Sequence, residues 1–175
     1  MIIMLNGSFG VGKSSVAYAL LDLLPSAMLF DPEEVGLMLR KVTFGILPDA
    51  ENTDDFQDIS AWPPLVVATA AELHHRYQRT LIVPMTLANP DYFAHIKSGL
   101  AQIGIPLHHF CLVAPLETVY DRLRLRGERD GSWAFRKAAR YVPMFNDPLY
   151  AHHLDTTTLT AAELARHIVQ SLPIT

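Results

Sequence analysis

The sequence predicts an α/β fold built on a five-stranded parallel sheet with helices on both faces. Two observations carry this prediction. Short apolar runs alternate with amphipathic stretches along the chain, the pattern of strand and helix in a sheet buried on both sides. The chain has 175 residues, half of them apolar, enough for one compact domain with a sizeable core and too few for two, so a single domain over 1–175 is expected.

The strand candidates are residues 2–6, 27–30, 80–85, 108–113 and 152–154. Between them, 90–103 reads as a helix: Asn89 caps it, Pro90 suits the first helical position, Phe93, Ile96, Leu100 and Ile103 share a face, and Gly104 stops it. A closing helix begins at the Thr160 and Glu163 capping box and carries Leu164, Ile168 and Leu172 on one side. Residues 45–64 combine Pro48, Asp49, Glu51, Asp54, Asp55 and Asp58 with little periodicity, which marks a long loop or short-helix insertion.

Composition narrows the partners. A net charge of −4 and a pI near 6.0 supply no general attraction for nucleic acid or an anionic membrane, so a small-molecule partner is expected. No run approaches the roughly 20 apolar residues of a membrane span, and the N-terminus lacks the basic and apolar regions of a secretory signal, so a cytoplasmic protein is expected. The single cysteine, Cys111, lies in an apolar run and reads as a buried strand thiol, with no disulfide possible within the chain.

The most specific motif runs from Gly7 to Ser14. Gly7, Ser8, Phe9, Gly10, Val11, Gly12, Lys13 and Ser14 match G-x-x-x-x-G-K-S/T, directly after an apolar strand and before Val16, Ala19, Leu20 and Leu23 at helical spacing. Such a loop aims backbone N–H groups at an anionic phosphate beside a helix N-terminus. Lys13 would reach the β- and γ-phosphates, Ser14 would supply a hydroxyl to magnesium, and Ser15 could bind the α-phosphate. The expectation is a P-loop NTPase fold that binds ATP with Mg²⁺.

The strand 80–85 ends without the magnesium-associated Asp of motor, AAA and switch-type proteins, and no Asn-Lys-x-Asp is present. The carboxylate at a strand end is Asp31. Ligands collect at the carboxyl ends of parallel strands, which places Asp31 near the γ-phosphate as a base for an acceptor hydroxyl. Asp31, Pro32, Glu33 and Glu34 equally read as an N-cap, a first-turn proline and a capping box before Val35, Met38, Leu39 and Val42. The two roles are compatible.

A second cluster, Arg122, Arg124, Arg126 and Arg129, surrounds Gly127 and Gly131. Arg122 and Arg126 lie four apart on one helix face while Arg124 points elsewhere, as in an arginine-rich lid over about 126–136 that stabilises charge on a moving phosphoryl group. Arg136 and Arg140 form a possible far wall. The pairs His74 with His75, His108 with His109 and His152 with His153 lack ligand spacing and read as structural, so no structural metal is expected. Trp62 and Trp133 are candidates for stacking on a base or sugar, against the commoner packing role.

Residues 1–16, Phe30-Asp31-Pro32-Glu33 with Gly36 and Leu39-Arg40, Asp54-Asp55-Phe56-Gln57, Ile82-Val83-Pro84-Met85-Thr86, Tyr92-Phe93, His108-His109-Phe110, Arg122-Leu123-Arg124 and Ser132-Trp133-Ala134 together resemble the tunicamycin-resistance proteins. The resemblance spans nearly the whole chain. More distantly it extends to nucleoside-monophosphate, shikimate and chloramphenicol kinases, which implies a nucleoside-monophosphate-kinase-like core with a lid. It implies that Asp31 is the acceptor-side carboxylate, Arg126 the lid arginine on the phosphates, and Arg122 a residue stacked on adenine, with the segment containing Thr156 closing over the base. On the acceptor side, in a segment of about 31–64 and the neighbouring strand end, the candidates are Asp31, Arg40, Trp62 and Thr86.

Nucleoside-monophosphate kinases gather arginines around an acceptor phosphate, whereas between Asp31 and Arg79 this chain offers only Arg40, Lys41, Arg76 and Arg79 against an acidic cluster. A neutral hydroxyl acceptor fits better. The reading is an ATP-dependent phosphotransferase acting on a hydroxyl of tunicamycin or a related nucleoside or sugar compound, conferring antibiotic resistance. Two alternatives stay open: an ATP-binding protein that sequesters the drug without turnover, and a kinase for an unrelated metabolite.

Overall fold

The computed structural model describes residues 1–173. Five strands, β1 (Ile2–Gly7), β2 (Ala27–Leu29), β3 (Thr80–Pro84), β4 (Leu107–Val113) and β5 (His153–Asp155), form one parallel sheet in the order β2-β3-β1-β4-β5. The helices are α1 (Lys13–Leu23), α2 (Pro32–Val42), α3 (Trp62–Tyr77), α4 (Pro90–Gln102), α5 (Leu116–Leu125), α6 (Trp133–Met144) and α7 (Ala161–Ser171). The predicted α/β class and parallel sheet are therefore present, with strand ends shifted by a residue or so from the apolar runs.

Side chains alternate across β1, which divides the core in two. Ile2 and Met4 pack with Leu81, Val83, Phe93, Ile96 and Trp62 on one face, and Ile3 and Leu5 with Val16, Leu20, Ile82, Leu112 and Ile168 on the other. All six residues of β1 are buried, as a central strand covered on both sides requires. The chain leaves β1 towards β2 on one side and returns to β4 on the other, so the loop after β1 opens at the point where the strand order reverses.

Most helix ends follow their sequence signals. Asn89 accepts the Asp91 N–H at 2.9 Å, and Thr160 and Glu163 form the reciprocal capping box. At α2 the box is not completed: the Asp31 carboxylate accepts the Glu33 N–H at 2.9 Å, and Glu34 is exposed. Val35 and Leu39 are buried, but Met38 and Val42 are 48% and 67% exposed, because the core reaches only one narrow stripe of this helix. Leu23, at the end of α1, likewise faces outwards.

Gly36 allows α2 to meet the acidic segment, since a Cβ at this position would run into the Phe56 ring. The segment 45–64 contains a single 3-10 turn, Phe56–Asp58, and then enters α3 at Trp62, so it is the loop with a short helix that its composition predicts.

Cys111 is fully buried, and burial pushes its thiol up to about 12. His109 is buried against Phe93, and its Nδ1 stands 3.1 Å from the Ala151 carbonyl oxygen; a carbonyl only accepts, so Nδ1 carries the proton. Burial lowers His109 to about 4 from 6.5. Below pH 6.5 the unfolded chain takes up a proton that the folded protein refuses, so stability should fall by up to about 3 kcal/mol as pH drops from 6.5 to 4. Melting curves across that window should flatten in His109→Asn, which keeps a donor for Ala151 but does not titrate.

Candidate active site

The phosphate loop joins β1 to α1 and takes a backbone path that only glycine follows easily. Gly7, Gly10 and Gly12 have φ of 142°, 77° and 112°. At Gly7 a Cβ would also come within 2.5 Å of the Leu112 carbonyl oxygen, so β4 and the loop pack backbone to backbone. Gly12 caps α1 without a side-chain acceptor, which leaves the first N–H groups of that helix directed at whatever anion the loop holds.

Buried Asn6 anchors the entry to the loop. Its carboxamide oxygen accepts the N–H of Gly7 and of Leu87, both at 2.9 Å, and its nitrogen donates to the Leu87 carbonyl. One side chain thus fixes the start of the loop to the segment after β3.

The Lys13 ammonium donates to the carbonyls of Gly7 and Ser8 at 3.0 and 2.9 Å. Burial lowers it to about 8; Glu33 and Asp31 oppose that shift and Arg126 reinforces it. Lys13, Glu33, Asp31 and Arg126 therefore share one electrostatic environment, although they come from α1, α2 and the end of α5.

Asp31 follows β2 at its carboxyl end. Burial raises its carboxyl above the usual range, against the stabilising Glu33 N–H, with Glu34 adding to the rise and Lys13 opposing it. Glu33, read from sequence only as part of a cap, is a second carboxylate of this environment: burial raises it, and Asp31 adds to the rise. The Asp-x-Glu spacing across the first turn of α2 was the available signal.

A cleft of about 390 Å³ opens beside the loop, lined by Val11, Gly12, Ser15, Arg122, Arg126 and Thr156 among others. Arg122 is tied down in its wall: it donates to the Val11 carbonyl at 3.0 Å and to the Thr156 hydroxyl and carbonyl at 2.8 and 2.7 Å. It clamps the segment after β5 to the phosphate loop. Arg126 ends α5 and is exposed. Arg124 points away, paired with Asp121 and in a two-bond contact with Asp130, as its helix phase predicts.

Ser14 and Ser15 are exposed in the first turn of α1. Thr86, after β3, is 2% exposed; its hydroxyl has no partner and its carbonyl accepts the Gln57 amide at 2.7 Å.

Two expected acceptor contacts lie elsewhere. Trp62 is 1% exposed, donates to the Pro32 carbonyl at 3.0 Å and packs edge-on against Phe56, so its ring supports α2 from the core and presents no free face. Arg40 donates to the Thr53 carbonyl and lines a hollow at the C-terminal end of α2 with Phe44, Glu51 and Ile59, apart from the residues of the phosphate loop. Trp133 touches the site instead: its ring meets Phe9 of the loop at 4.9 Å, and its indole N–H donates to Asp54 at 2.9 Å.

A glycine-rich loop at the switch point of a parallel sheet, with cations and carboxylates gathered at the strand ends, defines the P-loop NTPase fold in its kinase-like form. A family model described as AAA domain matches residues 2–142. The Deinococcus radiodurans tunicamycin resistance protein is similar over 97% of this chain and 93% of its own, at 30% identity and a TM-score of 0.79. The chain belongs to the tunicamycin resistance protein family, within the AAA domain family of P-loop proteins.

The fold is shared with Acinetobacter baumannii shikimate kinase, solved with shikimate (22% identity, 97% and 90% of the two chains, TM-score 0.62). It is also shared with Mycobacterium tuberculosis APS kinase, solved with AMPPNP and APS (20% identity, 97% and 95%, TM-score 0.65). No curated protein sequence matches the chain. Among the described residues, no helix is long and apolar enough to cross a membrane.

If the loop binds a triphosphate through charged Lys13, affinity should hold steady up to about pH 8 and then fall about tenfold per pH unit, because the free ammonium deprotonates there. Calorimetry in two buffers of different ionisation enthalpy should find about one proton taken up per AMPPNP bound above that pH.

Proposed function

We propose that this protein is an ATP-dependent phosphotransferase acting on a hydroxyl of a small, uncharged acceptor, tunicamycin or a related nucleoside or sugar compound. The observation that carries the reading is the convergence of Lys13 and Arg126 with the raised carboxyl of Asp31 at the carboxyl ends of β1 and β2. A loop for a triphosphate stands beside a carboxylate made more basic by burial, the pairing that hydroxyl phosphorylation uses. The name of the Deinococcus relative supports tunicamycin as the acceptor.

In this reading the loop amides, Lys13 and Ser15 hold the phosphates, and Arg122 and Thr156 form the wall beside the base. Arg126, on a lid over about 126–136, comes down on the γ-phosphate. Mg²⁺ would be held by the Ser14 hydroxyl and phosphate oxygens, where it would neutralise charge on the transferred group. Asp31 accepts the proton of the acceptor hydroxyl as its oxygen bonds to the γ-phosphorus; the bond from that phosphorus to the bridging oxygen breaks, and its electron pair leaves with ADP. Asp31 then returns its proton to solvent. Thr86, whose buried hydroxyl has no partner at the neighbouring strand end, would bond to the acceptor in this reading.

Drug-dependent ADP release tests the reading. Tunicamycin should raise ADP formation stoichiometrically with its own consumption, whereas sequestration predicts tight binding with ADP release at its basal level.

A further inference from the structure

A second cleft, of about 320 Å³, lies between α6, the acidic segment and the start of α4. At its edge the Lys137 ammonium, 13% exposed, pairs at 3.0 Å with Asp55, itself 15% exposed, and Tyr141 donates to the same carboxylate oxygen at 3.4 Å. Asp55 also caps the 3-10 turn by accepting the Gln57 N–H. Asp58 accepts the Tyr92 hydroxyl at 3.0 Å and the Thr53 hydroxyl at 2.6 Å.

One wall of the cleft touches the phosphate loop. The Tyr141 ring stacks on Phe9 with centroids 6.3 Å apart, and Asp55 is within electrostatic reach of Glu33. Three carboxylates, Asp54, Asp55 and Asp58, line the cleft against two cations, Lys137 and the exposed Arg140, so its charged lining is net negative. An anionic group could pair with Arg140 at the rim, but deeper in it would face all three carboxylates, and it could gain Lys137 only by leaving the largely buried Asp55 without its cation. Hydroxyl groups, which both donate and accept, can bond to Asp55, Asp58 and Tyr141 with the ion pair intact. The volume suits one sugar-sized group.

We infer that this cleft binds an uncharged, hydroxyl-rich part of the acceptor, and that Asp55 and Lys137 are the pair that sets its specificity. The inference rests on the proposed phosphotransferase reading and adds to it a site on α6.

The test is calorimetric titration of tunicamycin and, separately, AMPPNP into the wild type, Asp55→Asn, Lys137→Met and the double variant. Asp55→Asn keeps the cap on the 3-10 turn, and the double variant leaves no unpaired charge at this pair. Each should weaken tunicamycin about 10-fold or more, the loss of a charge-assisted hydrogen bond, with AMPPNP affinity unchanged within about twofold. N-acetylglucosamine should compete for the cleft better than its 6-phosphate.

A pair that serves only to hold α6 against the acidic segment would give wild-type tunicamycin affinity in the double variant, and that result, unchanged affinity in the single variants, or preference for the phosphate would overturn the inference while leaving the phosphotransferase reading standing. A wild-type protein that binds no tunicamycin would overturn the acceptor assignment itself, and this inference with it.

Discussion

Asp31→Asn is expected to give a folded protein that turns over about 100 to 10,000 times more slowly, the range for loss of a general base. The side chain has two jobs in one geometry. It caps α2 by accepting the Glu33 N–H, and it stands at the carboxyl end of β2 in the electrostatic field of Lys13. Asn caps about as well as Asp, so the melting temperature should hardly move. A capping role alone predicts a stable and fully active variant. Glu33→Gln is the necessary companion, because Glu33 shares the environment and is the larger opposing influence on Lys13. If the acceptor proton goes to Glu33, the rate loss will appear there and not at Asp31. Thermal melts together with single-turnover rates at saturating ATP distinguish the three outcomes.

Lys13→Met should have an effect of similar size through the other substrate. Two charge-assisted contacts to phosphate are worth about 1.5 to 3 kcal/mol each, so kcat/KM for ATP should fall by about 150-fold to 25,000-fold. Stability should not follow activity downwards. The ammonium is held in place against a desolvation cost large enough to bring it to about 8, and removing a charge held at such a cost leaves the melting temperature level or raises it. A variant that lost both activity and fold would show instead that the contacts to the Gly7 and Ser8 carbonyls organise the loop.

The parts of this molecule legible in its sequence are those written by local rules. The sheet could be read because β1 and β3 are buried on both faces and must be continuously apolar, and α4 and α7 because Asn89 and Thr160 announce their own caps. The phosphate loop was legible because its glycines and Lys13 are adjacent in the chain.

What escaped reading depends on partners far apart in sequence. Met38 and Val42 sit at helical spacing with Val35 and Leu39, yet nothing local says that the core stops short of them. Trp62 offered a stacking surface until its N–H was seen bonded to Pro32, 30 residues earlier. Arg40 has the right charge for a phosphate or a sugar but turns to Thr53. Asn6, which ties the loop to the chain after β3, looked like one more residue before the first glycine. Lys137 and Asp55, 82 positions apart, could not be paired before the fold placed α6 over the acidic segment. Glu33 is a different case: it lay in plain view two residues after Asp31, masked by a capping pattern that explained it sufficiently.

The central claim is that phosphate moves from ATP to a hydroxyl of the bound acceptor. Its most direct test is mass spectrometry of tunicamycin recovered after incubation with the protein, ATP and Mg²⁺. The account predicts a product heavier by one phosphoryl group, formed in step with ADP and carrying the label of γ-labelled ATP. Tunicamycin recovered unchanged, from a protein that binds it tightly in the presence of ATP, would contradict the account and identify sequestration as the activity.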